Sequence, residues 1–229
     1  MSNFTTKNPV VVIVGPTCSG KTTLKKMMIN AGFTGIKTWT SRKKRNEEND
    51  ADYEFVSKTV METCYKEGMF AEMTEYDSKL YGSVKKDYTI SSGGKPKVIV
   101  LNPRGARRVL ERLSDVPFIF VYLNPHPDVL ANRAARRDLD GTEFRRRMDT
   151  DGPELLEFYE DFFGDVDPEK IVGSIPNCPG TYYAKEPFSK YKNLAGVVAS
   201  TWHLLDQDFA NWLWRFAVMT SFDDVCIFK

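Results

Sequence analysis

The run Gly15-Pro16-Thr17-Cys18-Ser19-Gly20-Lys21-Thr22 fits the pattern GxxxxGK[ST] at every fixed position. Such a loop turns successive backbone N–H groups inward onto phosphate oxygens, and a helix opening behind it adds positive potential. Lys21 then reaches the β- and γ-phosphates, while the Thr22 hydroxyl takes one place in the coordination sphere of Mg²⁺. Gly15, Pro16, Thr17, Cys18, Ser19, Gly20, Lys21, Thr22 and Thr23 are the candidate contacts to ATP.

Cationic side chains gather in three further places: Arg42-Lys43-Lys44-Arg45, then Arg133 with Arg136-Arg137, then Arg145-Arg146-Arg147. One such cluster is usually a solvated face, but three in the half that holds the loop point to a polyanionic ligand. The charge count supports that reading. Residues 1–150 carry 26 Lys+Arg and 18 Asp+Glu, a balance of +8, whereas residues 151–229 carry 6 and 13, a balance of −7. The total of +1 therefore argues against a general nucleic-acid binder without arguing against a cationic site.

These groups need a frame. Val10-Val11-Val12-Ile13-Val14 is continuous and β-branched, so it reads as a strand buried on both faces. Leu24, Met27 and Met28 share one side of a helix that should stop near Gly32. Val98-Ile99-Val100-Leu101 and Phe118 to Leu123 repeat the strand signal, and Ala106, Val109, Leu110 and Leu113 recur at helical spacing between them. Strand, helix and strand in alternation predict an α/β fold with a parallel sheet flanked by helices. Ser91-Ser92-Gly93-Gly94 reads as a loop. Asp151-Gly152-Pro153 reads as a helix stop, with a new helix starting at Pro153 and carrying Leu155, Phe158, Tyr159 and Phe162 inward. Pro168 to Pro187 looks loop-like and precedes an amphipathic helix carrying Trp202, Leu205, Phe209, Trp212, Phe216 and Met219. Such a stripe is most often core, with a homodimer face as the sharper alternative.

At 229 residues and 41% hydrophobic composition the chain can bury a sizeable core. No apolar run approaches the length of a membrane span, and no secretory h-region precedes Pro9. Cys18, Cys64, Cys178 and Cys226 are widely spaced and form no CxxC pair, so zinc or a disulfide framework is not expected and a reducing cytoplasm is.

A loop of this kind leaves the phosphoryl acceptor open, and residues 37–83 narrow it. Thr38-Trp39-Thr40-Ser41-Arg42-Lys43-Lys44-Arg45 resembles the Ser-x-Thr-Thr-Arg-x-x-Arg segment of guanylate kinases. Asp52-Tyr53-Glu54-Phe55-Val56-Ser57, Phe70-Ala71-Glu72 and Leu80-Tyr81-Gly82-Ser83 follow as that family's next three acceptor motifs, at fitting intervals. The likeness covers about residues 9–160. It implies a P-loop kinase core with an acceptor-binding insertion at about 37–93 and an Arg-rich lid at about 134–148. The domain would then span 1–163, with 164–229 a C-terminal extension packed on it.

The resemblance implies that Arg42, Arg45, Tyr53 and Tyr81 hold the acceptor phosphate and that Glu72 reads the base. A carboxylate accepts only, and guanine offers adjacent N1–H and N2–H₂ donors, so the pairing is chemically apt. Thr38 and Ser83 stand at further base-contact positions. Arg133 and Arg137 match two lid arginines, and the third falls on Arg147, with Arg145 and Arg146 as rivals. Lys21 and the three lid arginines are the expected catalytic set, stabilising charge on the transferred phosphoryl group. The family's strand ending Leu-Asp-Ile-Asp is Val100-Leu101-Asn102 here, so two aspartates are absent and an amide, Asn102, sits at the base-reading position.

The implied activity is ATP-dependent phosphorylation of GMP or dGMP, with MgATP and a nucleoside monophosphate as partners. A kinase for another or modified (deoxy)nucleoside monophosphate, and a binding module of the same fold without activity, are the alternatives.

Overall fold

The computed structural model describes residues 8–44, 52–89, 94–137, 140–163, 181–183, 194–199 and 207–219. Its elements in order are β1 (Val10–Val14), α1 (Lys21–Asn30), β2 (Thr34–Gly35), β3 (Thr38–Thr40), β4 (Tyr53–Phe55), α2 (Lys58–Lys66), β5 (Phe70–Tyr76) and β6 (Lys79–Val84). After a short 3-10 turn (Lys85–Tyr88) come β7 (Lys97–Val100), α3 (Pro103–Arg112), β8 (Phe118–Leu123), α4 (Pro127–Ala135), α5 (Gly141–Phe163), β9 (Thr181–Tyr183), β10 (Leu194–Ala199) and α6 (Gln207–Met219).

The main sheet has the order β2-β7-β1-β8-β10-β9, parallel throughout except that β9 runs antiparallel to β10. Every residue of β1 and β8 is buried, as two-sided burial in a parallel sheet requires. The period-2 alternation divides them cleanly. Val10, Val12 and Val14 with Phe118, Phe120 and Tyr122 face α3 and α5, while Val11 and Ile13 with Ile119, Val121 and Leu123 face α1 and α6. The α5 side closes with aromatic rings: Phe120 lies 5.4 Å from Phe158 and 5.1 Å from Phe162, centroid to centroid. A second sheet, β4-β3-β6-β5, carries the segment between β2 and β7 and has its own small core around Met61, Phe70, Leu80 and Val84. It stands beside the C-terminal ends of β1 and β7, where open α/β sheets bind ligands.

Two expectations need correction. Pro153 does not start a helix, because α5 runs unbroken from Gly141 to Phe163 with Pro153 inside it. An internal proline costs about 3 kcal/mol through its missing N–H and its clash with the preceding turn. Packing on both sides outweighs that cost: Phe144 and Met148 lean on Cys18, Leu130 and Ala134 upstream, and Leu155, Phe158 and Phe162 fill the core downstream. Tyr159 is only partly buried, against Tyr122.

Second, the stretch after α5 is less loop-like than its composition suggests. Thr181–Tyr183 is a strand, and Leu194–Ala199 lies inside the main sheet beside β8, so the sheet runs on past residue 163. On α6, Ala210, Leu213 and Ala217 are buried against α1, and Gln207 donates to the Met27 carbonyl at 3.0 Å. Trp202 and Leu205, and the side chains of Phe209, Trp212, Phe216 and Met219, lie outside the described residues, as do Ser91 to Gly93.

Candidate active site

The loop after β1 adopts the left-handed conformation at Cys18 (φ 60°) and Gly20 (φ 100°), which turns its amides toward the space above α1. Gly20 caps α1 with no side-chain bond, and the first turn holds no acidic residue. The positive end of the helix is thus left for an anion. Ser19 Oγ is buried without a hydrogen-bond partner, a donor in want of an acceptor beside the phosphate site. Lys21 Nζ donates to the carbonyls of Gly15 and Pro16 at 2.7 and 2.6 Å. Burial within the loop lowers its pKa to about 8; Asp151 and Cys18 act to raise it and Arg137 lowers it further.

Arg133, near the end of α4, donates to the Ser19 carbonyl at 2.9 Å. With Arg136 and Arg137 it walls a cavity of about 180 Å³ over Cys18, Ser19, Gly20, Thr23 and Leu24. The structure therefore brings Arg133 and Arg137 to the loop. Arg147, on α5, donates through Nε to Glu143 at 2.6 Å. Arg146 bonds the same carboxylate and reaches Asp77 at 3.3 Å on the β5–β6 turn.

On the other side of β1 opens a cleft of about 400 Å³, lined among others by Gly15, Thr17, Lys21, Thr38, Tyr53, Glu72, Tyr81 and Asn102. Phosphate-loop and acceptor residues share one enclosure. Glu72 is 2% exposed and accepts from Ser83 Oγ at 2.8 Å, and Ser83 Oγ also pairs with the Tyr88 hydroxyl at 2.8 Å. Burial pushes the Glu72 carboxyl up to about 7, against the Ser83 bond and the cations Arg108 and Arg112. Its second oxygen lies close to Gly105, where an added Cβ would stand 3.1 Å from Glu72 Oε2 and 3.0 Å from Asn102 Oδ1.

Asn102 is the N-cap of α3: Oδ1 accepts from the Gly105 amide at 2.8 Å and Nδ2 donates to Thr74 Oγ1 at 3.1 Å. An amide fills the capping role as well as a carboxylate does. Arg42 is buried, with its guanidinium 4.7 Å from the Tyr53 ring centre and Nη1 donating to the Lys43 carbonyl at 3.0 Å. Arg45 lies outside the described residues, and Thr22 is exposed at the start of α1.

Sequence reasoning missed several cleft residues, chiefly Thr74, Tyr76 and Asp151. Thr74 and Tyr76 follow Glu72 at intervals of two on β5, which is the signal that would have found them. Asp151 sits where the helix was expected to stop.

A buried ion pair ties this second sheet to α1. Lys25 Nζ lies 3.2 Å from Asp52 and donates to the Ile36 carbonyl at 2.9 Å, one turn along from Lys21 and one residue before Tyr53. Lys25→Met leaves the Asp52 carboxylate without its cation, so urea unfolding should show a loss of about 3 kcal/mol. An unchanged midpoint would refute that role.

The guanylate kinase family model matches residues 7–162. A guanylate kinase of Nitrosospira multiformis is 34% identical over 144 residues, 61% of this chain and 68% of that one. The guanylate kinase of Sus scrofa is 30% identical over 140 residues, 58% of this chain and 69% of its own. A solved guanylate kinase of Anaplasma phagocytophilum aligns at 20% identity and TM-score 0.46, covering 63% of this chain and 74% of that chain. The matched span begins just before β1 and ends within the last turn of α5, so it encloses every site residue described above, and the chain belongs to the guanylate kinase family.

Proposed function

We propose that the protein transfers the γ-phosphoryl group of ATP to the α-phosphate of GMP or dGMP, giving ADP and the nucleoside diphosphate. The observation that carries this reading is one cleft lined by both Lys21 and the buried carboxylate of Glu72. An oxygen of the acceptor phosphate attacks the γ-phosphorus in line as the bond to the β,γ-bridging oxygen breaks. The acceptor is already an anion, so no general base is needed, and catalysis rests on positioning and charge stabilisation.

In this reading Lys21, Arg133, Arg137 and Arg147 surround the transferred group, while Arg42, Arg45, Tyr53 and Tyr81 hold the acceptor phosphate. Glu72, Thr38, Ser83 and Asn102 meet the base. Among the described residues no group of three or more His, Cys, Asp or Glu gathers to hold a metal ion. A hard cation that retains its waters fits what is present, with the exposed Thr22 hydroxyl and the nucleotide phosphates as ligands. Held there, Mg²⁺ would neutralise charge on the transferring phosphates.

Asn102 favours a second reading, a kinase for another or modified (deoxy)nucleoside monophosphate. Its amide nitrogen carries two N–H donors where the family motif has a carboxylate, and one of them is given to Thr74. A coupled ADP-release assay across a panel of monophosphates decides between them: GMP and dGMP should be the fastest acceptors, and inertness of both with turnover of another base would overturn the guanylate assignment. Lys21 and the arginines at the loop oppose the reading as an inactive binding module, which absence of ATP binding in calorimetry would revive. No described helix is long and apolar enough to cross a membrane. We place the protein in the cytoplasm on its widely spaced cysteines, Cys18 and Cys64 being free thiols. The described inner face of α6 is spent on α1 of the same chain, and Trp214 lies on that side too, against Gly32, so a homodimer through α6 would use the opposite face.

A further inference from the structure

Asp151 stands in the middle of α5 and lines the same cleft as Gly15, Thr17 and Lys21. It is the carboxylate that acts on the Lys21 ammonium, and Lys21 in turn acts on it. Tyr76, at the end of β5, lines the same cleft, and its hydroxyl favours the ionised form of the Asp151 carboxyl. One carboxylate on the helix that follows the lid therefore shares a cleft with the phosphate loop and the acceptor sheet. A few residues earlier on the same helix, Arg146 reaches Asp77 on the adjoining turn at 3.3 Å. The tip of the β5–β6 hairpin is thus tied to α5 by this ion pair.

We propose that Asp151 is a positioning residue for phosphoryl transfer, holding the Lys21 ammonium toward the acceptor side of the cleft while the Tyr76 hydroxyl fixes the carboxylate's direction. The inference rests on the kinase reading. Lys21 is bonded to the Gly15 and Pro16 carbonyls, both on its own loop. To serve the transferred group it must leave them, and a carboxylate across the cleft gives the ammonium a second, charge-assisted partner on the way. Placement on a rigid helix rather than a loop suits this role. The groups around the pair are Cys18 and Arg137 beside Lys21, and Tyr76, Glu154 and Arg147 beside Asp151. Burial raises the Asp151 carboxyl above the usual range and Lys21 opposes the rise, as a mutually supporting pair requires.

The test is steady-state kinetics of the full chain with MgATP and GMP for Asp151→Asn, Asp151→Glu, Tyr76→Phe and the Tyr76→Phe/Asp151→Asn double variant. Asp151→Asn should lower kcat by about 10- to 100-fold, the scale of a small misplacement of a catalytic group, with both KM values within about threefold. Asp151→Glu should recover part of the loss. The double variant should be no slower than Asp151→Asn alone, because the phenol acts through the carboxylate. Asp161→Asn, near the far end of α5 where the side chain pairs with Arg107, is the control for helix integrity and should leave the rate unchanged. An Asp151→Asn enzyme within about twofold of wild type in kcat, or losses that multiply in the double variant, would overturn the proposal. Wild-type protein that fails to turn over any monophosphate would remove the kinase reading, and this proposal with it.

Discussion

Lys21→Met should lower kcat by about 10²–10³-fold while leaving the fold intact, because it keeps the aliphatic stem and removes the one ammonium the phosphate loop presents to the cleft. That ammonium donates to two loop carbonyls, at 2.7 and 2.6 Å. It is held by its own loop, ready to exchange neutral oxygens for charged ones. Burial holds its pKa at about 8, and arriving phosphates push it back upward, so the ammonium is charged throughout the reaction near neutral pH. The loss should therefore appear in kcat rather than in acceptor binding, and calorimetry should find GMP affinity within a few-fold of wild type. If kcat survives the substitution within about tenfold, charge on the transferring group is being met elsewhere, by the arginines of α4 and α5.

The parts of this site that sequence shows and the parts it hides divide on physical grounds. β1 and β8 are legible because strands buried on both faces must be continuously apolar, and Val10 to Val14 and Phe118 to Leu123 are. The phosphate loop is legible because its glycines and lysine are demanded by backbone geometry at fixed spacing. β10 is not, since Leu-Ala-Gly-Val-Val-Ala mixes small residues with glycine and its pairing with β8 is a contact across about seventy residues of chain. The path of α5 through Pro153 is decided by Phe158 and Phe162 finding the aromatic face of β8, a tertiary term that outweighs a local rule. Asp151 was hidden for the same reason: reading Asp151-Gly152-Pro153 as a stop removed the helix that carries it into the cleft. The Tyr88 hydroxyl, which reaches Glu72 through Ser83, belongs to this class too, because only the β5–β6 register and the turn after it bring the three together.

Glu72→Gln should weaken GMP by at least about 10²-fold, because one of the two acceptors facing the guanine donors becomes a donor, leaving a buried N–H against another. The wild-type pH dependence follows from the same carboxyl. With its pKa raised by burial to about 7, the side chain is largely protonated at pH 6 and must lose that proton to accept from guanine. The apparent Kd for GMP should therefore rise about tenfold from pH 8 to pH 6 in wild type and stay flat in the Gln variant. Stability should move the other way. A carboxyl that binds its proton more tightly folded than unfolded supports the fold fully below about pH 4.5, and that support is lost as pH rises through about 7. At pH 8 the buried carboxylate then costs up to about 3 kcal/mol, which a neutral amide of the same shape removes while its oxygen still accepts from Ser83. The Gln variant should melt several degrees above wild type at pH 8 and no higher at pH 5. A residue whose loss abolishes acceptor binding yet steadies the free protein is one kept for its ligand rather than for its fold. A variant that binds GMP normally and melts lower at both pH values would show Glu72 to be a packing residue, and the base reading would have to move to Asn102 and Thr74.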